Sequence, residues 1–165
     1  MAGAALQTAD ILNSNTGYLY FTINGVMRRA AECRQITASL ETSVEEFRLL
    51  HECMWRHKGV GIKGSGSMTI YTGTNDFLTL ITSFKKSWFN QRFTIISTSS
   101  DPESSRGSRS IRLMDVLLAG HELFKHDTAD GILDSEVSFT FDNYEVVSDY
   151  NDIDAPSIDW GLLSE

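Results

Sequence analysis

The sequence predicts a mainly antiparallel β protein, a segment of a β-sandwich or barrel with one α-helix packed on it. Three features of the sequence support this class. Residues 137–142 alternate between apolar and polar side chains, Asn24-Gly25 joins two strand-like runs, and residues 74–87 carry a convincing apolar stripe with helical spacing. With 165 residues the chain is most simply one domain that can bury a sizeable core.

The first predicted element is a β-hairpin in the sequence GYLYFTINGVMRR. Residues 18–23 are rich in aromatic and β-branched side chains, which favour strands. Asn24 and Gly25 suit a type I′ turn, because both central residues of that turn adopt positive φ. The return strand is expected over residues 26–42, although its alternation is imperfect.

Residues 43–62 have no single hydrophobic period. Phe47 and Leu49 alternate as in a strand, whereas Phe47, Leu50 and Met54 keep the spacing of a helix. Because the segment is long and ends in glycines, we interpret it as an extended loop or arm. Long loops in compact domains are usually functional or disordered.

The strongest helix signal is TNDFLTLITSFKKS, residues 74–87. Thr74 or Asn75 can cap its first turn, and Lys85 and Lys86 suit the negative end of the helix dipole. The apolar stripe predicted to be buried consists of Phe77, Leu78, Ile81 and Phe84.

The remaining predicted elements are strands at residues 67–72, 91–100, 109–120 and 132–147, with a turn at residues 101–108. In the last strand Val137, Phe139 and Phe141 share one face, which we predict to be core.

The chain is expected to divide into an N-terminal arm at residues 1–17, a β domain at residues 18–147 and an acidic C-terminal tail at residues 148–165. The tail loses the strand period but contains a small apolar group, Trp160, Leu162 and Leu163.

Gly59, Gly61 and Gly64 have the spacing of a dinucleotide-binding loop. Such a loop must follow a buried strand and open directly into a helix, whose N-terminus holds the pyrophosphate. Here Gly66 leads into a predicted strand, and the helix begins about ten residues later. We therefore assign the four glycines to a hinge that permits a bend and a close backbone approach, and not to a nucleotide site.

His51, Cys53 and His57 are the best candidates for a metal site in this sequence. A structural zinc site uses four ligands in recognisable pairs, and the sequence lacks that pattern. It also lacks a nucleophile elbow and a cysteine–histidine protease signature. We therefore expect no catalytic residue, no metal and no cofactor.

The formal charge is divided unevenly along the chain. Residues 1–114 hold 13 Lys/Arg and 9 Asp/Glu, about +4, whereas residues 115–165 hold one Lys and 13 Asp/Glu, about −12. The acidic second part disfavours wrapping of a phosphate backbone, which needs clustered Lys and Arg. The simplest interpretation is a solvated acidic face with an acidic tail.

Two further features concern the cellular compartment. Cys33 and Cys53 are too few for a disulfide framework, which favours a reduced, intracellular setting. The first 15 residues lack the basic and apolar regions of a secretory signal, and no apolar run approaches the ~18 residues of a spanning helix.

Several motifs occur together in one order along the chain. LYFTING heads the hairpin, GIKGSGSMTIYTGTNDFLTLI combines glycines, a strand and a helix, and SEVSFTFDNYEV closes the core. Between them, RFTIIS and DPESSRGSRSIRLMDV supply a strand, a polar loop and a strand. Over about residues 18–147 this ordered set resembles the tail tube protein of contractile-tailed phages and phage-like particles, the PBSX-type family.

The resemblance implies a structural subunit and no enzymatic activity. Such subunits form hexameric rings that stack into a tube, and each lends antiparallel strands to a shared, closed β-barrel. The implied partners are other copies of the chain, a sheath protein, a tape-measure protein and a baseplate or tube initiator. DNA would pass through the lumen without specific binding, and the protein would reside in the virion tail after assembly in the host bacterial cytoplasm.

The resemblance also gives residues 43–62 a role as an assembly loop that reaches a neighbouring subunit or ring. The conformational entropy lost when this loop becomes ordered would be offset by burial of four apolar residues, Phe47, Leu49, Met54 and Trp55. An acidic lumen would repel DNA, since like charges release no counterions.

The alternative is a small monomeric β-barrel module that binds a ligand or single-stranded nucleic acid. Its stacking platform would use the aromatic residues of alternating strands, Tyr18, Tyr20, Phe93, Phe139 and Phe141. Core packing is the commoner role of aromatic residues in such positions.

Overall fold

A computed structural model describes residues 15–150 except residues 31, 72–75, 89–90, 127 and 129–130. Within them, eight strands and one helix follow in the order β1 (Gly17–Ile23), β2 (Val26–Arg29), β3 (Cys33–Phe47), β4 (Arg56–Tyr71), α1 (Asp76–Ser87), β5 (Phe93–Ser100), β6 (Ser108–His121), β7 (Asp134–Phe141) and β8 (Asn143–Ser148). All strand pairs are antiparallel, which confirms the predicted class. In this part of the chain, no helix is both long enough and apolar enough to cross a membrane.

The strands form two sheets that share β6. The first sheet has the order β2-β1-β5-β6-β8, and the second has the order β6-β7-β4-β3. Strands β2 and β3 lie at opposite ends of the strand order, so the described strands do not close into a barrel within one chain.

The first hairpin forms as predicted. Asn24 has φ of 51° and Gly25 has φ of 78°, which are the positive values that a type I′ turn requires. The prediction of one return strand over residues 26–42 is wrong, because β2 ends at Arg29 and β3 begins at Cys33. β2 pairs with β1 in the first sheet, whereas β3 pairs with β4 in the second, so the chain changes sheets between them.

The core is one cluster of buried side chains from both sheets and the helix. Ile95, Val116 and Val137 are 0% exposed, and Phe139 is 1% exposed. The predicted core face of Val137, Phe139 and Phe141 is therefore confirmed. Near the helix, the rings of Phe21, Phe77 and Phe93 pack edge-on or tilted, with centroids 5.3 to 6.3 Å apart.

Helix α1 is confirmed, but its buried face differs from the predicted stripe. Phe77 and Leu80 are buried, Leu78 and Ile81 are half-buried, and Phe84 is exposed. The helix therefore contacts the core through Phe77 and Leu80, which lie three residues apart near its start. The predicted capping residues, Thr74 and Asn75, lie outside the described residues.

β6 turns from the first sheet into the second at Asp115. Its residues 108–116 pair with β5, its residues 110–114 pair with β8, and its residues 117–121 pair with β7. The predicted last strand also breaks here, because β7 ends at Phe141 and β8 begins at Asn143 in the other sheet. Asp115 has φ of 54°, a left-handed conformation that few non-glycine residues adopt.

Arg92 joins the two strands at this corner. Its Nη1 donates to the Asp115 carbonyl oxygen at 3.2 Å and also to the Asp142 carboxylate. One guanidinium thus holds together the points at which β6 and the β7–β8 segment change sheets.

Candidate assembly surfaces

Residues 43–62, predicted as a loop, are the distal part of a long β-hairpin. β3 continues to Phe47 and β4 begins at Arg56, so only residues 48–55 are loop and the prediction of irregular structure is wrong. The strand predicted at residues 67–72 is the end of this same β4. The prediction failed because glycines and charged residues interrupt the apolar pattern of both strands.

The hairpin projects beyond the second sheet. The last pair between β4 and β7 is Gly64 with Phe141, whereas the pairing of β4 with β3 continues to Arg56. At ~3.3 Å per residue, the eight β4 residues beyond that pair extend about 26 Å. We name residues 40–63 the arm.

One face of the arm continues the core face of the second sheet. Leu40 stands opposite Gly64 in register, and Thr42 stands opposite Ile62, two residues further along each strand. Leu40 is 47% exposed, Val44 is 51% exposed and Ile62 is 68% exposed. These three residues form an apolar stripe that the protomer leaves uncovered.

The tip of the arm combines contacts between charged and aromatic side chains with several exposed apolar side chains. Arg56 donates two hydrogen bonds to the Glu52 carboxylate, at 3.0 and 2.7 Å, and Arg48 lies 5.4 Å from the Trp55 ring centroid. The four predicted contact residues, Phe47, Leu49, Met54 and Trp55, are all exposed in the protomer. Their role in subunit contacts stays a prediction.

The four glycines lie within β4. Each pairs with β3, from Val44 opposite Gly59 to Ala38 opposite Gly66, so the prediction that they lie in a loop is wrong, whereas their hinge role stays a prediction. A register irregularity occurs between Ser43 and Val44, opposite the first two glycines.

The predicted close backbone approach occurs at the last two glycines. A Cβ at Gly64 would lie 2.4 Å from the Phe141 ring, and a Cβ at Gly66 would lie 2.4 Å from the Phe139 ring. The rings of β7 therefore occupy the space that side chains of β4 would fill. Glycine is required here because the core aromatics lie directly over the backbone.

The opposite face of the second sheet is rich in hydroxyl groups. The Thr37 and Ser67 hydroxyl oxygens are 3.2 Å apart across β3 and β4, and Ser39 donates to the Ser65 carbonyl oxygen at 3.5 Å. The strand register places these hydroxyl residues on one face: Thr37, Ser39, Ser65, Ser67, Thr69, Ser138 and Thr140. The opposite charges of Glu41 and Lys63 stand opposite each other in register on this face.

Two carboxylates near the ends of this domain are held by basic side chains. Hydrogen bonds from Lys125 at 2.9 Å and from Arg34 at 2.7 Å lower the pKa of Asp134. A hydrogen bond from Arg109 at 2.7 Å lowers the pKa of Asp149. These ion pairs fix the start of β7 to β3 and the end of β8 to β6.

The residues considered for chemistry do not form a site in the described part of the chain. No group of three His, Cys, Asp or Glu side chains there is arranged to hold a metal. His57 lies on β4 with its Nε2 3.3 Å from the Glu46 carboxylate, while His51 and Cys53 lie in the arm tip. Phe93, Phe139 and Phe141 are buried in the core, so they offer no stacking platform for bases.

The apolar stripe and the hydroxyl face were not predicted from the sequence. Both follow from the strand alternation of residues 36–47 and 62–69 once these residues are assigned to a hairpin. The signal was present as Leu40, Thr42 and Val44 alternating with Ser39, Glu41 and Ser43.

Residues 4–148 match the family of phage tail tube proteins. Among similar sequences, the phage-like element PBSX protein XkdM of Bacillus subtilis (strain 168) is 26% identical over 148 residues, which cover 90% of this chain and 98% of that protein. The uncharacterized protein YqbM of the same organism is 26% identical over 142 residues, 86% of this chain and 94% of its own length.

Solved structures share the fold at low sequence identity. A chain in the PVC sheath/tube terminator of an extracellular contractile injection system has a TM-score of 0.68 at 9% identity, covering 87% of this chain and 100% of its own. A chain of the PVC sheath–tube complex has a TM-score of 0.63 at 10% identity, and the match covers 82% of this chain and 90% of that chain. A chain of the SPP1 tail tube has a TM-score of 0.58 at 10% identity, and the match covers 87% of this chain and 81% of that chain. Because the family match extends over most of the residues, this chain belongs to the phage tail tube proteins, which are structural components of phage-type tails and not enzymes.

Proposed function

We propose that this tail tube protein assembles into hexameric rings, and that the rings stack into a hollow tube through which DNA is delivered. The observation that carries the proposal is the second sheet, which is apolar on one face and rich in hydroxyl groups on the other, and whose β3 edge no described strand covers. An open edge with unpaired N–H and C=O groups is stable in a soluble protein when another strand covers it. A ring of such sheets removes every edge by closure.

The hydroxyl face of the second sheet is the proposed wall of the lumen. Its side chains are short and mostly uncharged, and the charges of Lys63 and Glu41 stand opposite each other. A wall without free basic clusters displaces few counterions from DNA and therefore binds it weakly. The expected acidic lumen is thus replaced in our proposal by a wall of mainly neutral hydroxyl groups.

The arm is the proposed contact between subunits or rings. Its stripe of Leu40, Val44 and Ile62 and its tip residues Phe47, Leu49, Met54 and Trp55 would be buried against a neighbouring copy. Burying a Leu, Ile or Val side chain that is about half exposed contributes on the order of 1 kcal/mol, so the stripe alone would favour contact by a few kcal/mol. The glycines Gly59 and Gly61 lie on this arm, and a hinge role for them would apply only during assembly.

Sheath, tape-measure and baseplate or initiator proteins complete the proposed assembly, which would form in the host cytoplasm and reside in the virion tail. Support comes from similar chains in a sheath–tube complex, a baseplate and a tube-terminating cap. The similar structures come from more than one kind of particle, including an injection system and a gene transfer agent.

The test is electron microscopy of the purified protein with a matched pair of variants. The wild-type chain is expected to form rings or hollow tubes, and cryo-EM of these tubes should place Ser65 and Ser67 on the lumen side. Leu40→Asp should abolish tubes because it puts a charge into the apolar stripe, whereas Ser39→Asp, on the adjacent residue and opposite face, should leave them intact. Monomers under all conditions, or long tubes formed by Leu40→Asp, would contradict the proposal.

A further inference from the structure

A groove of about 780 Å³ opens between the ends of the two sheets. Its floor consists of Leu19, Ala30, Cys33 and Ile36, which pack on the core and remain only partly buried. Arg29 and Arg34 lie on its rim, together with hydroxyl groups at the end of β5, and Arg34 is already paired with Asp134. The groove therefore combines an apolar floor with a basic rim.

The described chain ends beside this groove. After β8, Asp149 accepts a hydrogen bond from Arg109, and the Arg109 guanidinium lies 4.7 Å from the Tyr150 ring centroid. Arg109 pairs in register with Ser99, and Ser99 lines the groove. Asp149 and Tyr150 are thus held at β6, the strand next to the groove wall.

Residues 151–165 have the chemistry that the groove would recognise. They contain four carboxylate side chains and no Lys or Arg, and near their end stand Trp160, Leu162 and Leu163. Ten residues from Tyr150 to Trp160 can span up to about 33 Å, which is ample for a groove one or two strands away. The family match stops at residue 148, before this segment.

We propose that residues 151–165 dock in this groove of their own chain. Trp160, Leu162 and Leu163 cover the apolar floor, and the carboxylates pair with Arg29 on the rim. The apolar contact and the charge complementarity act together, as in other amphipathic segments that bind a groove. The inference concerns a single chain and does not depend on tube formation.

Cys33 on the groove floor reports whether the groove is covered. In full-length protein carrying Cys53→Ser, Cys33 is the one remaining thiol, since the sequence has two cysteines. We expect Ellman's reagent to react with it slowly. Adding Trp160→Ala, Leu162→Ala and Leu163→Ala should raise the rate at least about tenfold, because the covering side chains are lost. Trp88→Ala, an exposed tryptophan that does not line the groove, is the matched control and should leave the rate unchanged.

Salt and cross-linking give independent readouts. Raising NaCl to about 1 M shortens the Debye length to ~3 Å and should speed the reaction of Cys33 in the otherwise native chain. With Cys53→Ser and Leu162→Cys, mild oxidation should form an intramolecular disulfide to Cys33, seen by mass spectrometry of peptides. Failure to form this bond in a folded chain would overturn the proposal.

Other occupants of the groove give different results. Residues 1–14 also end beside it, at Asn15. If Leu6→Ala, Ile11→Ala and Leu12→Ala expose Cys33 while the C-terminal changes do not, the N-terminal segment is the occupant and the proposal is wrong. If protection of Cys33 falls on dilution of the protein, a second copy covers the groove, and the proposal is equally wrong.

Discussion

Gly66 is the position at which one added methyl group should disturb the fold most. A Cβ there would lie 2.4 Å from the Phe139 Cζ and 2.4 Å from the Thr37 carbonyl oxygen. Phe139 is 1% exposed, so its ring has no free space to enter. The Thr37 carbonyl belongs to β3, which pairs with β4 at Ala38 and Gly66, so it cannot shift without breaking that pairing.

The expected magnitude follows from these contacts. Overpacking a dense core destabilises by about 1–3 kcal/mol, and disturbing one backbone hydrogen bond adds about 1 kcal/mol. Gly66→Ala should therefore lower the free energy of unfolding by about 2–4 kcal/mol. Gly64→Ala meets only the Phe141 ring, at the end of β7, and should lower it by about 1–2 kcal/mol.

Gly61→Ala is the matched control on the same strand. A Cβ there meets nothing within 4 Å, so the free energy of unfolding should change by less than about 0.5 kcal/mol. The assay is urea unfolding of the unassembled chains, followed by circular dichroism, with equal m-values required for comparison. Adding Phe139→Leu to Gly66→Ala should recover part of the loss, because the clashing ring is removed. The reasoning is refuted if Gly66→Ala and Gly61→Ala are equally stable.

Three other predictions follow from the core, the sheet corner and an ion pair. Phe139→Ala should lower the free energy of unfolding by about 3–5 kcal/mol in the same urea assay, and a loss under about 1 kcal/mol would contradict the burial of this ring. Arg92→Met should lower the free energy of unfolding by about 1 kcal/mol, because the Asp115 carbonyl and the Asp142 carboxylate lose the donor they share. Arg112→Met, at an exposed pair with Glu145, should lower it by less than about 0.5 kcal/mol. Equal losses would argue against a role of Arg92 at the sheet corner. Because hydrogen bonds from Lys125 and Arg34 lower the pKa of Asp134 below 3.8, its stabilisation is present above that pH and is lost as pH falls through the lowered pKa. Asp134→Asn should therefore destabilise the protein near pH 7 and have little effect in strong acid, and a loss that is independent of pH would show that the ion pair is not its cause.

Strands with a regular alternation could be predicted from the sequence alone. In β5 and β7 the residues Phe93, Ile95, Val137 and Phe139 each point into the same core, so local order and burial agree. The Asn24-Gly25 turn was also predictable, because its conformation depends on those two residues rather than on distant contacts.

The arm could not be predicted as a hairpin because its apolar residues have no partner within the chain. On the core face, Leu40 lies at the last pair with β7 and Ile62 lies past it. The glycines that face Phe139 and Phe141 carry no apolar side chain to mark the period. The structural reason for these glycines lies on another strand, about 75 residues away in sequence. A prediction based only on neighbouring residues therefore assigns these glycines and the residues around them to a loop.

The buried face of the helix also could not be predicted from the sequence pattern alone. The sequence identifies a stripe through Leu78, but Leu80 is the residue that meets the core. Both leucines fit a helical period, and only the position of the sheet beneath decides which of them is buried.

The passage of β6 through both sheets determines how the subunit responds to mechanical load. A pull on one sheet is transmitted to the other along a continuous peptide backbone, whereas stacked sheets without a shared strand would slide on their side chains. With Arg92 bracing the corner at Asp115 and Asp142, we expect the body of the subunit to deform little under tension. Compliance is then concentrated in the hairpin that projects from it, where two strands alone carry the strain.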